Sequence, residues 1–258
     1  MVNCGAREIA TAIRARFPSQ IVIEVPENTT LMQARLTGME RSTRNHVAVL
    51  NERYSVSEQW LAALLEEHAG VKADIVSGVV AAPASLSTVE WAMYLTEYSA
   101  SAPPVPREVA TLPEAAALPT GNVRYAKQIL ETANIKGATT DLDLHSSLFR
   151  AGARFMRDNR MQVEFACPNT LEEYLAERRQ VSYDFARHRA RRMSPPARVF
   201  AAVLRLGLPP WFLLRTSRQV WRKSPLRARF WRALPWMVRF SFIQMAAEMR
   251  GFLSSTPD

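Results

Sequence analysis

At 258 residues, with 48% hydrophobic and 22% charged residues, the chain is long enough for one large domain, or for one domain and an appendage, and its composition is ordinary for a folded protein. Its two cysteines, Cys4 and Cys167, have no CxxC neighbour, which excludes a disulfide scaffold, makes a reducing compartment the default and leaves both thiols as packing residues. The net charge of +9 is unevenly placed: residues 178–258 hold 17 of the 33 Lys and Arg against three acids, Asp184, Glu248 and Asp258, so this tail carries +14 and residues 1–177 carry −5. Such asymmetry points to an anionic partner, either a membrane surface or nucleic acid.

Residues Met1 to Ala12 lack the basic region and apolar run of a signal peptide. Ala6 to Phe17 reads as a helix, with Ile9 and Ile13 four apart, and Pro18 ends it. Gln20 to Val25 is a short β-rich run stopped by Pro26. Thr30 to Ser42 returns to helical character, and His46 to Leu50 is a second strand. Ser57 is a good N-cap for a helix over Glu58 to Ala69, whose apolar face holds Trp60, Leu61, Leu64 and Leu65. Ala73 to Val80 is a third strand. The alternation of helices and strands predicts an α/β layer with a largely parallel sheet.

Thr88 to Tyr98 reads as a helix and Ser101 to Pro106 as a proline-rich loop. Gly121-Asn122 reads as a turn before a helical pattern. Asp141 and Asp143 open another helix, which ends at Gly152; carboxylates in a first turn suit the positive helix end. Arg154 to Phe165 reads as extended chain. Thr170 is an N-cap with Glu173 as its capping-box partner. The remainder is helical, broken at Ser194-Pro195-Pro196, Pro209-Pro210, Ser224-Pro225 and Pro235.

Ligands of open α/β sheets bind at the carboxyl ends of strands. The loop after His46–Leu50 reads Asn51-Glu52-Arg53-Tyr54, a charged cluster at such an end. Mg²⁺ and Mn²⁺ favour carboxylate oxygens together with substrate phosphates. An ordinary solvated loop carries the same residues.

The segment V-A-V-L-N-E-R-Y-S-V-S-E-Q-W-L resembles the metal-binding segment of family-2 glycosyltransferases, in which a strand runs into an acidic triplet and a Trp-Leu opens a helix about seven residues on. Ala34-Arg35-Leu36-Thr37-Gly38 resembles the family's "A-R-N-x-G" helix. Leu118 to Asn122 with Tyr125 resembles its "G-N-x-A-Y" turn, and Thr140-Asp141-Leu142-Asp143-Leu144 its "E-D-x-D-L" segment, continued by Leu148, Ala151-Gly152 and Arg154. The four stand in the family's order over roughly residues 7 to 165. The triplet is reduced to Glu52 between Asn51 and Arg53, and Thr140 stands where the family has its first acid. Only six residues precede residue 7, where the family's first strand and nucleotide-binding turn belong.

The resemblance implies an α/β fold of GT-A type, with a mostly parallel, Rossmann-like sheet lacking its first strand. This domain would occupy residues 1–168, and a basic, amphipathic, helical membrane-associating extension residues 169–258. It implies an inverting transfer of a sugar from a nucleotide-sugar donor to a lipid-linked or polysaccharide acceptor. Asp141 would be the base and Glu52 the ligand of a Mg or Mn cation. Arg53 would contact phosphate, Gly121 would admit close backbone approach, and Asn122 would contact sugar or acceptor hydroxyls. Asp143 reads as a helix-start stabiliser, and His145, four residues from Asp141, as a packing or hydrogen-bonding residue. The eroded triplet motivates a second reading, a catalytically impaired relative serving as a binding or assembly partner in the same pathway.

Trp211, Trp221, Trp231 and Trp236 lie in the tail among arginines. Over Trp211 to Lys223 the pattern predicts Arg215, Arg218 and Arg222 on one face, opposed to Trp211, Leu214 and Trp221, as in a helix lying in the membrane interface. Ala233 to Ala247 is the most apolar stretch, and Arg239 and Gln244 within it argue for an in-plane or partly inserted helix. Arginines interrupt every candidate transmembrane span. The expected location is the cytoplasmic face of the membrane, held peripherally by anionic lipid. Nucleic acid is the competing partner for this charge, but no nucleic-acid module accompanies it.

Overall fold

A computed structural model describes residues 2–4, 7–19, 21–26, 29–51, 54–66, 73–109, 111–119, 121–133, 135–167, 170–191 and 193–254, with 2–4 and 7–9 as backbone alone. In chain order the elements are β1 (Val2–Cys4), α1 (Arg7–Arg16), β2 (Ile23–Val25), α2 (Leu31–Arg41), β3 (His46–Leu50), β4 (Tyr54–Val56), α3 (Glu58–Leu65), β5 (Ile75–Ala81), α4 (Thr88–Tyr98), β6 (Glu108–Val109), α5 (Leu112–Ala116) and β7 (Asn122–Ala126). There follow α6 (Lys127–Thr132), α7 (Asp141–Arg150), β8 (Phe155–Phe165), α8 (Leu171–Ala190), α9 (Pro195–Leu204), a 3-10 turn (Arg205–Gly207), α10 (Leu208–Trp221) and α11 (Ser224–Leu253). The chain divides into two compact units, Met1–Val80 with Pro103–Val163, and Ala81–Ala102 with Glu164–Asp258. The second unit thus begins a few residues before the boundary drawn from sequence at 168, and it also takes up α4.

The first unit is α/β, as the alternation of elements predicts. Its sheet is not the mostly parallel one. β1 and β2 pair in parallel as a separate two-stranded sheet. The other six strands form one sheet in the order β3-β7-β5-β8-β4, with β6 also on β8. Both β3 and β5 run antiparallel to β7, and β6 runs antiparallel to β8. The expectation is corrected to a mixed, mostly antiparallel sheet, and β7 is the reason. Its sequence N-V-R-Y-A puts polar side chains on one face, and Gly121 before it suggests a turn. Yet Asn122 to Tyr125 are all buried, between two neighbours. A strand also precedes residue 7, where none was expected: Val2–Cys4 lies in register with Ile23–Val25.

Alternation along β7 sends Val123 and Tyr125 to one face and Asn122 and Arg124 to the other. The core forms on the first face. Ile75, Val123, Tyr125, Leu144 and Leu148 are fully buried there, joined by Met32, Leu36 and Met39 of α2. The sequence of α2 explains its seat: Met32, Leu36 and Met39 repeat at helical spacing, Thr30 caps the start reciprocally with Gln33, and Lys127 Nζ donates to the carbonyls of Met39 and Glu40 at the far end (2.9 and 3.1 Å).

On the second face Asn122 is fully buried, and both its amide oxygen and its amide nitrogen are hydrogen-bonded. Trp60 Nε1 of α3 donates to Asn122 Oδ1 at 2.8 Å. Nδ2 donates to the carbonyls of Val79 (3.0 Å) and Met161 (2.8 Å). An indole N–H can only donate, which fixes which end of the amide faces Trp60. The amide passes from β7 over β5 to reach β8, and Gly78 of β5 leaves the space: a Cβ there would strike Met161 O and the Asn122 amide.

The second unit is helical and is built on α11. Pro235, expected to break this helix, lies inside it. Phe230, Ala233, Met237 and Phe240 on either side are buried at 3% exposure or less. Their packing outweighs the local cost of an interior proline. At Gly251 a Cβ would meet Tyr183 O and Ala186 Cβ, so α11 and α8 approach backbone to backbone. The Cys167 thiol lies 3.7 Å from Met93 Sδ, and burial pushes it up to about 12, which suits a packing residue.

Gly78→Ala is expected to lower stability by about 1–3 kcal/mol through overpacking, read as a lower urea midpoint. Unchanged stability would mean that the Asn122 amide does not cross at this point.

Candidate functional site

Two of the segments singled out in the sequence meet at the start of α7. Arg35 on α2 donates from Nη1 to Asp141 Oδ1 at 3.1 Å. The guanidinium side is enclosed, with 13% of the Arg35 side chain exposed, whereas the Asp141 side chain is 46% exposed. One oxygen of the carboxylate is therefore held while the group still faces solvent. Such a pair orients a carboxylate more than it stabilises the fold.

The helix start itself is fixed by its neighbours. Thr140 is the N-cap and accepts from Asp143 N at 3.1 Å. Asp143 Oδ2 accepts from Thr139 N, Thr139 Oγ1 and Thr140 N (3.3, 2.8 and 3.1 Å). Partial burial acts against the Asp143 charge, but these hydrogen bonds outweigh it and hold the carboxyl below its ordinary value. Asp143 is thus a capping residue, in agreement with its sequence reading.

Beneath Asp141, Tyr125 Oη and His145 Nε2 are 2.9 Å apart, both fully buried. Burial drives the imidazole down to about 4, against the pull of the Asp141 charge. Burial, and then the same charge, push the phenol well above its ordinary value. Both groups are neutral at physiological pH, and the imidazole tautomer sets which of the two donates. They form a polar floor for α7, consistent with the hydrogen-bonding role read for His145.

A second focus lies at the end of β3. Asn51 N donates to Gly121 O at 2.9 Å, and Tyr54 N donates to Asn51 O at 3.1 Å. A Cβ on Gly121 would come within 3.0 Å of Asn51 Cβ and 3.3 Å of the Tyr54 ring. The space beside Gly121 is thus taken by the protein's own Asn51 and Tyr54. Glu52 and Arg53, read as cation ligand and phosphate contact, lie outside the described residues. Among the described residues no group of three or more His, Cys, Asp and Glu is placed to hold a metal. Asn122 is brought to this strand end by β7, but its side chain is spent inside the sheet, so it positions the turn. Tyr125 follows Gly121 by four residues, which puts their Cα atoms roughly 13 Å apart along the strand.

Arg35 is the functional candidate that residue-by-residue reading left out of the site. The signal was there: it sits three residues after Met32 and four before Met39, a cation beside the inward stripe of α2. A cation so placed requires a partner.

In the helical unit several basic residues face inward. Lys223 Nζ donates to Ser99 O (2.9 Å) and also bonds Ala102 O. Arg178 joins Glu97 and Gln244, and Arg205 lies 3.0 Å from Glu248. In Ala233 to Ala247 one stripe, Ala233, Met237, Phe240 and Ala247, forms the inside of the unit. One expectation for the tail is corrected. On α10 the arginines do not oppose the tryptophans. Phe212, Thr216 and Val220 make the inward stripe, while Trp211, Leu214, Arg215 and Trp221 share the outward side, and Arg215 stacks 5.6 Å from the Trp211 ring. By length and composition Pro195–Trp221 is apolar enough to cross a membrane, its arginines notwithstanding, and 22% of its apolar window is buried.

The imidazole gives a pH prediction. An unfolded histidine titrates near 6.5 and His145 near 4, so the unfolded chain binds more protons between these values. The resulting stability is complete above pH 6.5 and is lost as pH falls toward 4, by about 3 kcal/mol. His145→Gln is expected to flatten this part of the pH dependence, read as the difference in urea midpoints between pH 7 and pH 4.5 for the two proteins. Parallel slopes would refute it.

Compared with models of known protein families the chain matches none, and no curated protein sequence matches it.

Proposed function

We propose that this chain is a membrane-associated, inverting glycosyltransferase that moves a sugar from a nucleotide-sugar donor to a lipid-linked or polysaccharide acceptor. The observation that carries the reading is the Arg35–Asp141 pair. It joins the "A-R-x-x-G" helix and the "D-x-D-L" helix start, two segments 106 residues apart in sequence, around one half-exposed carboxylate. The meeting of Asn51 with Gly121 supports it in the same way, by joining the other two segments.

In the proposed reaction an acceptor O–H attacks the anomeric carbon of the donor. The new C–O bond forms as the bond to the nucleoside diphosphate breaks, with inversion. The acceptor proton passes to the free oxygen of Asp141. Arg35 holds the other oxygen and is a positioning residue. Charge develops on the departing diphosphate. Arg53 would meet it directly, and a Mg or Mn cation at Glu52 would supply further neutralisation when bound. The GT-A assignment rests on the same segments, with a strand at β1 and a mixed sheet included. The enzyme would act at the cytoplasmic face of the membrane.

Two observations favour the non-catalytic alternative. Asn122 offers no free polar atom, and the Thr140 hydroxyl, at the position of the family's first acid, caps α7. A binding or assembly role in the same pathway follows if the donor does not bind.

Calorimetry with UDP-, GDP- and dTDP-sugars, with and without Mn²⁺, separates the two. Binding of one donor is the expected result. Asp141→Asn is then expected to lower transfer by about 10²–10⁴-fold with donor affinity unchanged. Transfer that survives this substitution would remove Asp141 as base, and silence across the panel with membrane recruitment intact would establish the alternative.

A further inference from the structure

The helical unit presents an apolar surface that its own packing leaves open. Val199, Phe200, Val203, Leu204 and Leu206, on α9 and the 3-10 turn, are each more than half exposed. Their spacing puts the four α9 residues on one side, with Ala201 and Ala202 buried on the other. α10 continues the outward side with Trp211, Leu214 and Trp221, also more than half exposed. A soluble surface rarely leaves so many large apolar side chains in one stretch without an occupant.

Charge says which occupant fits. Between Asp184 and Glu248 the sequence has 14 Lys and Arg and no Asp or Glu. The exposed tryptophans carry guanidinium groups on their faces: Arg215 lies 5.6 Å from the Trp211 ring, and Arg227 lies 5.8 Å from the Trp221 ring. Aliphatic side chains beside Trp–Arg pairs suit acyl chains beside anionic headgroups.

We infer that α9, the 3-10 turn and the outward side of α10 lie flat in the interface of an anionic bilayer. Val199, Phe200, Val203, Leu204 and Leu206 enter the acyl region, and the Trp211–Arg215 and Trp221–Arg227 pairs sit at headgroup level. This rests on the membrane part of the function proposed above and assigns the surface and its orientation. The stretch does not cross. Crossing would draw Arg205 away from Glu248, which is 4% exposed, and leave a buried carboxylate without its cation. It would also place Arg205 and a second arginine, Arg198 or Arg215, in hydrocarbon.

The test is flotation of the full chain with vesicles of phosphatidylcholine, alone or with added phosphatidylglycerol. The chain is expected to float with the anionic vesicles and to be released by alkaline carbonate. The double variant Phe200→Asp/Leu204→Asp changes two side chains that are 65% and 58% exposed. It is expected to keep its melting temperature and lose at least about tenfold in partitioning, as removal of inserted apolar area requires. Trp211→Ala, a plain truncation at another point of the face, is expected to lose less. Flotation of wild type and both variants alike would overturn the assigned surface while leaving membrane association in place. No flotation of the wild type with either vesicle would overturn the membrane part of the proposed function as well. Resistance to carbonate extraction would show a span and overturn the in-plane orientation.

Discussion

The amide of Asn122 is the constraint around which the sheet unit is arranged. One side chain ties three strands and a helix: it belongs to β7, crosses β5 at Gly78, reaches a carbonyl of β8 and receives the indole of α3. A buried amide N–H or carbonyl left without a partner costs roughly 1–3 kcal/mol, so all three partners must be in place together. That requirement sets the lateral order β7-β5-β8 and the seat of Trp60. It also holds the start of β7 against the end of β3, where the loop that carries Glu52 and Arg53 begins. The opposite face of β7 is then free to carry Val123 and Tyr125 into the core beneath α7. Two foci of the proposed chemistry hang from the two faces and ends of a single five-residue strand.

Cations placed inward do comparable positioning in both units. Arg35 is held beside the apolar stripe of α2 and fixes one oxygen of Asp141. Lys223 closes the end of α10 by collecting carbonyls near the end of α4, and Arg205 pins the 3-10 turn to α11 through Glu248. A tail that reads as uniformly basic is therefore divided. Some charges are structural and enclosed, and the rest lie outward beside tryptophan rings. Composition alone cannot make this division, because it depends on which carbonyls and carboxylates the packing brings near.

Element type was legible wherever the local pattern and the tertiary setting agreed. His46–Leu50, Thr88–Tyr98 and the helix opened by Asp141 stand almost where periodicity and capping residues put them. The caps at Ser57 and Thr170 are made, each hydroxyl accepting from the backbone N–H three residues on. β7 was hidden because its polar residues are buried ones: an asparagine that satisfies backbone carbonyls across a sheet looks, in sequence, like an asparagine in a turn. Strand direction was illegible for the same reason, since β7, inserted between β3 and β5, runs antiparallel to both. Pro235 misled in the opposite sense, a strong local signal overruled by the packing of α11. At the candidate site Asp141 stood out by its place in a motif, whereas its partner Arg35 required knowing that two helices far apart in sequence converge.

The exposed stretch from α9 to α10 is already helical, and its inner stripe is already docked. A peptide that becomes a helix only on reaching a membrane spends part of its binding free energy on ordering its backbone. Here that ordering is done during folding. Attachment would add no helix content, would carry a small conformational entropy cost, and would offer the membrane a shape that does not adapt to it. In the proposed attachment, a preformed surface of this kind would discriminate among bilayers by their packing and charge, so the lipids available, more than any rearrangement of the protein, would decide where the chain resides.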